Sequence, residues 1–235
     1  MKYVDIYRKF FLSRQDYSKI YHRFLRERRV ILDVPCGAGT FIEISKQNSM
    51  TPFDQKVIGI DLNMEHLRIA MDKGGKVVQA DALRLPFRDT AYDAIFCAHL
   101  IEHFQPAAAY KLLIELDRVL KFGGTLIFQS PLLSDHFYDD FTHQRAYPPN
   151  ILITHLTGID SHQHTFQKIS SNYEVIEFFF RYARLYRPLI PRSVLMCKAK
   201  VRFAFTVLSD ILYALGAKKY WQPDGYTIVL KKTSL

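Results

Sequence analysis

Cysteine is scarce in this chain, and no two cysteines lie close enough in sequence to form a metal-binding pair. The 235 residues contain three cysteines, Cys36, Cys97 and Cys197, and no Cys-x-x-Cys motif. This spacing argues against a disulfide framework and a zinc ribbon, and it is typical of a reducing compartment. We therefore expect a cytoplasmic protein.

Long apolar segments are also missing. The longest, residues 203–217, has 15 residues and includes Asp210, whereas a bilayer-spanning helix needs about 20 apolar residues. The first residues are polar and charged and lack the apolar core of a signal peptide. The sequence therefore predicts neither a membrane-spanning helix nor a secretory leader.

Basic residues are concentrated at the two ends of the chain. The net charge is +6 over residues 1–29, −6 over residues 30–177 and +9 over residues 178–235. Basic ends favour an anionic partner, with ordinary solubility charge as the alternative. Because residues 181–202 mix basic and apolar side chains, they are a candidate for peripheral contact with an anionic membrane. A lid over the acceptor or a homodimer surface would explain the same pattern.

Short apolar segments alternate with helical patterns along most of the chain, which predicts an α/β fold with a mostly parallel sheet covered on both faces. The predicted strands are 30–34, 56–60, 76–80, 92–98, 125–129, 173–180 and 226–231, and the predicted helices are 17–25, 40–47, 63–73, 106–120 and 150–157. Phe122, Gly123 and Gly124 are predicted to end the helix at 106–120. No linker divides the chain. Residues 1–235 are therefore predicted to form a single domain, with a basic helical segment at 1–29 and a basic insertion at 181–223 between the last two strands.

Acidic residues follow three successive predicted strands. Asp33 lies near the end of the first strand and is followed by the glycines Gly37 and Gly39. Asp61 directly follows the second strand, and Asp81 directly follows the third. The carboxyl ends of parallel strands line one crevice, where an acid can accept both hydroxyls of a ribose and glycines let the backbone approach a ligand closely. The sequence therefore predicts a nucleoside-binding crevice.

Five segments between residues 30 and 130 resemble, in order and spacing, the motifs of class I S-adenosylmethionine-dependent methyltransferases of the small-molecule type. These segments are VILDVPCGAGTF, VIGIDLN, QADALRLPF, YDAIFCAHLIEHF and LKFGGTLIFQSP. The resemblance implies a Rossmann-like sheet of seven strands in the order 3-2-1-4-5-7-6. A dehydrogenase is the main rival, but its GxGxxG motif would need a glycine where Ile42 stands.

The resemblance also implies roles for individual residues. Gly37 and Gly39 would lie against the methionine part of the cofactor, and Asp33 would hold its ammonium group. The adenosine part would be bound by Asp61 at the ribose, Leu62 on the adenine face, and Asp81 and Ala82 at the adenine edge. Ala98 would line the path to the methyl group.

Three histidines are candidate catalytic residues, because histidine is a suitable base near neutral pH when the nucleophile carries a proton. His99 and His103 lie in the fourth motif. His143 lies in the segment DDFTHQRAYPPNIL, which resembles the acceptor-facing loop of the family, and the same loop offers Arg145 and Tyr147 for substrate binding. A loop pinned by hydrogen bonds is the alternative. The histidine spacings do not indicate a metal site, and none is predicted.

These features together predict methyl transfer from S-adenosylmethionine to a small or lipid-linked metabolite, at an oxygen and with help from a histidine base. Two alternatives stay open: a cofactor-binding scaffold without turnover, and an RNA-associated methyltransferase. Nucleic acid is the less favoured partner, because CAHLIEH stands after the fourth strand in place of an Asn-Pro-Pro-Tyr motif.

Overall fold

A computed structural model describes residues 17–48, 54–134, 137–158, 167–182 and 223–233, together with Leu208. The first 16 residues of the basic segment and nearly all of the predicted insertion at 181–223 lie outside the described residues. The predictions of a lipid-binding or dimer-forming surface fall there. Within the described part of the chain, no helix combines the length and the apolar character that a bilayer span requires.

The centre of the fold is one seven-stranded sheet. Its strands are β1 (Val30–Val34), β2 (Lys56–Asp61), β3 (Lys76–Gln79), β4 (Tyr92–Ala98), β5 (Leu120–Pro131), β6 (Tyr173–Tyr182) and β7 (Pro223–Lys232). Their order across the sheet is β3-β2-β1-β4-β5-β7-β6. Strands β1 to β5 pair in parallel, and β7 runs antiparallel to both β5 and β6. The predicted order and the mostly parallel pairing are confirmed.

Helices cover both faces of this sheet. They are α1 (Tyr17–Ile20), which continues into a π-helical segment (Tyr21–Leu25), α2 (Thr40–Asn48), α3 (Met64–Asp72), α4 (Pro106–Val119) and α5 (Asn150–Leu156). On one face, α4 packs in a buried cluster with Ile95 and Cys97 of β4. On the other face, α1 and Phe41 pack in a second cluster with Ala94 and Phe96 of β4. The alternation along β4 thus places successive side chains in opposite cores.

Local sequence explains most of the element boundaries. Asn63 caps α3, since its side-chain oxygen accepts the N–H groups of Glu65 and His66. One boundary differs from the prediction: Gly123 and Gly124 do not end a helix. Instead, α4 ends at Val119 and the glycine pair lies within β5, where the pairing with β4 shifts register. A strand irregularity of this kind tolerates glycine, which sequence patterns also associate with helix ends.

Most of the polar residues discussed below lie at the side of the sheet where the strands β1 to β4 end. Because these strands are parallel, their carboxyl ends all lie at this side. Strand β6 runs in the same direction as β5, since β7 is antiparallel to both. The end of β6 and the start of β7 therefore lie at the same side, with Tyr182 paired to Pro223. We call this side the carboxyl edge.

Candidate cofactor and acceptor site

A pocket of about 470 Å³ opens at the carboxyl edge. This volume is in the range of small-molecule sites. Seven of the eight predicted cofactor-binding residues line it: Asp33, Gly37, Asp61, Leu62, Asp81, Ala82 and Ala98. The segments that follow β1, β2, β3 and β4 all contribute, so the crevice predicted from the three acidic residues exists as one cavity.

Asp33 places a buried carboxylate at the pocket. Its residue is 2% exposed, and its Oδ2 has no hydrogen-bond partner in the described part of the chain. Burial raises the pKa of Asp33 well above its usual range, and the negative charge of Asp61 raises it further. A cation placed beside this carboxylate would offset the cost of burying its charge. The site therefore fits the ammonium group of an amino acid.

The loop after β1 brings backbone to the pocket. Gly37 has a φ of +49°, and a Cβ on it would meet no atom within 4 Å. Gly39 is not among the lining residues; its φ is +76°, and a Cβ there would stand 2.9 Å from Cβ of Ala70. The structure thus gives Gly37 an open cradle and gives Gly39 a packing role against α3. Contact between Gly39 and the cofactor stays a prediction.

Asp61 is held in place by backbone donors. Its Oδ2 accepts the N–H of Gly37 at 3.0 Å, and its Oδ1 accepts the N–H of Asn63 at 2.8 Å. An ionised carboxylate offers about four lone-pair sites, so two backbone bonds leave capacity for the two hydroxyls of a ribose. Leu62, which follows it, is 64% exposed and lines the pocket, as expected for an apolar platform under a flat ring.

The loop after β3 supplies the third predicted acid. Asp81 is exposed at the pocket, and its Oδ1 accepts the N–H of Leu83 at 2.8 Å. Ala82 is 8% exposed and belongs to the core below. This pairing of an acceptor with a small apolar side chain suits the edge of an adenine ring.

His99 lines the pocket and lies between Glu102 and Arg181. Its φ is +55°, and its N–H donates to Gln129 O at 3.0 Å. Its Nδ1 is 3.3 Å from Oε1 of the fully buried Glu102, and its Nε2 is 3.4 Å from Nη1 of Arg181. Of the three histidines predicted to be catalytic, His99 is therefore the one placed in a charge network beside the pocket.

His103 and His143 pack against each other, with ring centroids 5.0 Å apart. His103 lines the pocket and its Nδ1 is 3.2 Å from Thr142 O. His143 is not among the lining residues, and its Nδ1 is 2.6 Å from Phe137 O. With Glu102 they offer three potential metal-ligating atoms within 4.8 Å of one another. The sequence spacing did not reveal this cluster, because a loop brings His143 back to the fourth motif.

Arg145 and Tyr147 make hydrogen bonds that hold their loop against the segment 102–104. The N–H of Arg145 donates to Glu102 O at 3.2 Å. Tyr147 is 5% exposed, and its hydroxyl donates to Phe104 O at 2.8 Å. Neither residue is among those lining the pocket. These contacts are the ones expected of a loop pinned by hydrogen bonds, and the substrate-binding role stays a prediction.

Tyr17 is a pocket residue that the sequence reading missed. It lines the pocket, and its ring meets Phe96 edge-on with centroids 5.2 Å apart. Burial, followed by the charge of Asp33, raises the pKa of Tyr17 to about 12, while the charge of Arg181 opposes this rise. No motif marks Tyr17, since it belongs to the basic segment before the first strand.

Relatives of known name match the motif-bearing part of the chain. Residues 32–128 match the protein family described as "Methyltransferase domain". The chain is 33% identical over 99 residues to the tRNA (carboxymethyluridine(34)-5-O)-methyltransferase of Arabidopsis thaliana, covering 42% of this chain and 23% of that protein. It is 32% identical over 100 residues to the malonyl-[acyl-carrier protein] O-methyltransferase of Herminiimonas arsenicoxydans, covering 43% and 36%. The chain thus spans well under half the length of either relative.

A solved structure resembles the whole fold. The SAM-dependent methyltransferase of Archaeoglobus fulgidus superposes with a TM-score of 0.61 at 24% identity, covering 98% of this chain and 100% of that one. At this identity the likeness shows the fold. The family match over residues 32–128, the five ordered motifs and the sheet order are all similar to those of class I S-adenosylmethionine-dependent methyltransferases.

Proposed function

We propose that this protein transfers a methyl group from S-adenosylmethionine to an oxygen atom of a small or lipid-linked acceptor. The observation that carries the proposal is the convergence of Asp33, Gly37 and Asp61 on one pocket. When bound, S-adenosylmethionine supplies a methyl group already activated by a cationic sulfur. The protein then has to bind the cofactor, orient the acceptor toward the methyl group and exclude water.

We expect different residues of the pocket to contact different parts of the cofactor. Asp33 would accept the ammonium group, and Asp61 would accept hydrogen bonds from the ribose hydroxyls. Each hydrogen bond to a charged group contributes about 1.5–3 kcal/mol. The remaining contacts would be made by Gly37 and Gly39 at the methionine part, Leu62 on the adenine face, and Asp81 and Ala82 at the adenine edge.

The acceptor end of the pocket begins at Ala98 and His99. Holding a nucleophile in line with the methyl carbon can supply about 7–11 kcal/mol of the barrier. If the nucleophile carries a proton, a base must remove it, and His99 is the histidine best placed to do so. His103 borders the same cavity, whereas His143 would act through His103, which its ring contacts.

We favour oxygen as the acceptor atom because the two relatives described above are named as O-methyltransferases. Nitrogen is the alternative, supported by the name of the ajmaline N-methyltransferase of Rauvolfia serpentina, which is 30% identical to this chain over 119 residues. The names of these two O-methyltransferases also describe acceptors that carry a carboxyl group, carboxymethyluridine in one case and a malonyl group in the other. These names support an oxygen nucleophile here, while the acceptor molecule is left open by the short aligned segments.

An RNA-associated methyltransferase is the second candidate, favoured by the relative named for tRNA and by the charge of +6 over residues 1–29. Retention on an RNA column that weakens steeply with salt would support it.

The scaffold alternative would show cofactor binding without transfer to any acceptor. Contact of residues 181–202 with an anionic membrane, a homodimer and a cytoplasmic location also stay predictions.

Substitution Asp61→Ala tests the proposal. It removes the acceptor for the ribose and the partner of Gly37 and Asn63, so the affinity for S-adenosylhomocysteine should fall at least about 100-fold by calorimetry. Asp54→Ala, which removes an exposed acid before β2, is the matched control and should bind normally. Undiminished affinity in Asp61→Ala would refute the assignment of the pocket.

A further inference from the structure

We propose that Arg181 and His99 form a carboxylate-binding subsite beside the cofactor pocket and that the methyl acceptor is a carboxylic acid held there. The inference rests on the proposed function and adds the chemical class of the acceptor. It starts from Arg181, which was predicted only as part of a basic surface segment.

Arg181 is fixed at the end of β6 by its neighbours on β7. Its Nε donates to Oδ1 of Asp224 at 3.0 Å, and its Nη2 donates to the backbone oxygen of Asp224 at 3.3 Å. The guanidinium lies across Gly225, where a Cβ would stand 2.7 Å from Nη2. The chain therefore holds this arginine in one orientation, and glycine leaves the room it needs.

The guanidinium lies next to two residues of the pocket, although Arg181 itself is not among the lining residues. Its Nη1 is 3.4 Å from Nε2 of His99, and its charge acts on the hydroxyl of Tyr17. Both His99 and Tyr17 line the pocket. An arginine has five N–H donors, of which two face Asp224 and one faces His99. Among the described residues, the other two have no partner and can take an anion.

The same contact defines the state of His99. An arginine side chain does not lose its proton in proteins, so Nη1 donates and Nε2 of His99 accepts. In the neutral ring the proton then lies on Nδ1, 3.3 Å from Oε1 of Glu102. Nε2 of His99 is thus engaged by Arg181. To act as a base through Nε2 it would have to give up Arg181.

A carboxylic acid is the acceptor that needs no base, because it is already ionised at neutral pH. One carboxylate oxygen would rest on Arg181 while the other attacks the methyl carbon. One C–O bond forms, one C–S bond breaks with its electron pair going to sulfur, and no proton moves. The products are a methyl ester and S-adenosylhomocysteine.

The surrounding charges are compatible with an anion at this point. Asp224 occupies the edge of the guanidinium formed by Nε and Nη2, away from Nη1. Glu102 is fully buried and faces Nδ1 of His99, the nitrogen opposite Arg181. An amine acceptor would instead meet the positive charge of Arg181, and a hydroxyl acceptor would need the base that Arg181 engages.

Binding is tested first, on the protein saturated with S-adenosylhomocysteine. Calorimetric titration with malonate should show saturable binding, and Arg181→Gln should weaken it at least about tenfold. Arg181→Gln should leave the affinity for S-adenosylhomocysteine within about twofold of the original protein. Arg88→Gln, which removes the same charge from an exposed loop, should leave both affinities unchanged. If Arg181→Gln misfolds, Arg181→Lys keeps the charge and should bind malonate more weakly than the original protein.

The outcomes separate the two proposals. If S-adenosylhomocysteine itself does not bind, the proposed function fails. If it binds while malonate does not, or while Arg181→Gln binds malonate as tightly as the original protein, the carboxylate subsite is overturned and the proposed function stands. Inorganic phosphate is titrated in parallel, and tighter binding of phosphate than of malonate also overturns the carboxylate assignment.

Product chemistry gives an independent readout. Labelled S-adenosylmethionine is offered with matched acids and their amides: free dicarboxylates, malonyl thioesters and carboxymethyluridine, which distinguish a free acid from a carrier-bound or nucleoside acid. Methyl esters release volatile labelled methanol in mild base, whereas methyl ethers and methylamines do not. Base-labile label on an acid but not on its amide supports the inference. Base-stable label, or labelled amides, overturns it.

Discussion

The two sides of the pocket are assembled in different ways. On the cofactor side, contacts are made over short stretches of chain: Asp61 bonds a residue two positions away and one 24 positions away. On the acceptor side, the contact between Arg181 and His99 joins residues 82 positions apart. The first kind of contact leaves a motif in the sequence, and the second leaves none.

This difference explains what each side can recognise. The cofactor side is a set of strand ends in a parallel sheet, and its geometry follows from the sheet itself. The proposed acceptor side involves β6, β7 and the loop that carries His143, which lie beyond the five motifs. We therefore expect the cofactor side to respond to single motif substitutions and the acceptor side to respond to changes in distant segments.

After the loss of affinity expected for Asp61→Ala, the next largest effect is expected from Asp33→Asn, which tests whether a residue on the cofactor side lowers stability while it favours binding. The substitution removes a buried carboxylate whose pKa burial raises. Affinity for S-adenosylhomocysteine should fall at least about tenfold, while the protein without ligand should become more stable by about 1–2 kcal/mol at neutral pH. Calorimetry and denaturant unfolding measure the two quantities.

The same residue predicts a pH dependence. Because the pKa of Asp33 is higher in the folded state than its ordinary value of 3.8, the folded state binds more protons and its stability falls as the pH rises above that value. Asp33→Asn should flatten this decline, and affinity for the cationic cofactor should rise with pH in the original protein. An Asn variant that keeps both full affinity and the original pH profile would contradict this role of Asp33.

A smaller effect separates the two glycines of the first motif. Gly37→Ala places a methyl group in open space at φ +49°, whereas Gly39→Ala places one 2.9 Å from Cβ of Ala70 at φ +76°. In both variants the left-handed backbone conformation destabilises the folded state by about 1–2 kcal/mol. Gly39→Ala also introduces a steric clash. Gly39→Ala should therefore lower the free energy of unfolding more, and Gly37→Ala should lower cofactor affinity more. The reverse ranking would show that Gly39, not Gly37, meets the cofactor.

The smallest effect is expected from metal removal. Glu102, His103 and His143 could offer three ligands, but Nδ1 of each histidine faces a carbonyl and Glu102 faces His99. Dialysis against a chelator should leave methyl transfer and thermal unfolding unchanged, with the undialysed protein as the control. Loss of activity that zinc restores would add a metal to the acceptor side and sharpen its difference from the cofactor side.

The sequence predicts the cofactor side well and the proposed acceptor side poorly. The strands and the acidic residues at their ends were predicted from local patterns. The strand order and the other pocket residues were predicted from the resemblance of the five motifs to the methyltransferase family. Gly123 and Gly124 were misplaced, since glycine suits both a helix end and an irregular strand. Tyr17 and Arg181 carried no local signal, because their positions depend on packing against Phe96 and Gly225.

A crystal structure with S-adenosylhomocysteine bound tests the central claim most directly. The account predicts the ribose hydroxyls within hydrogen-bond distance of Asp61 and the ammonium group beside Asp33, with the sulfur directed toward Ala98 and His99. A ligand bound in this pocket with neither carboxylate in contact, or bound elsewhere on the protein, would contradict it.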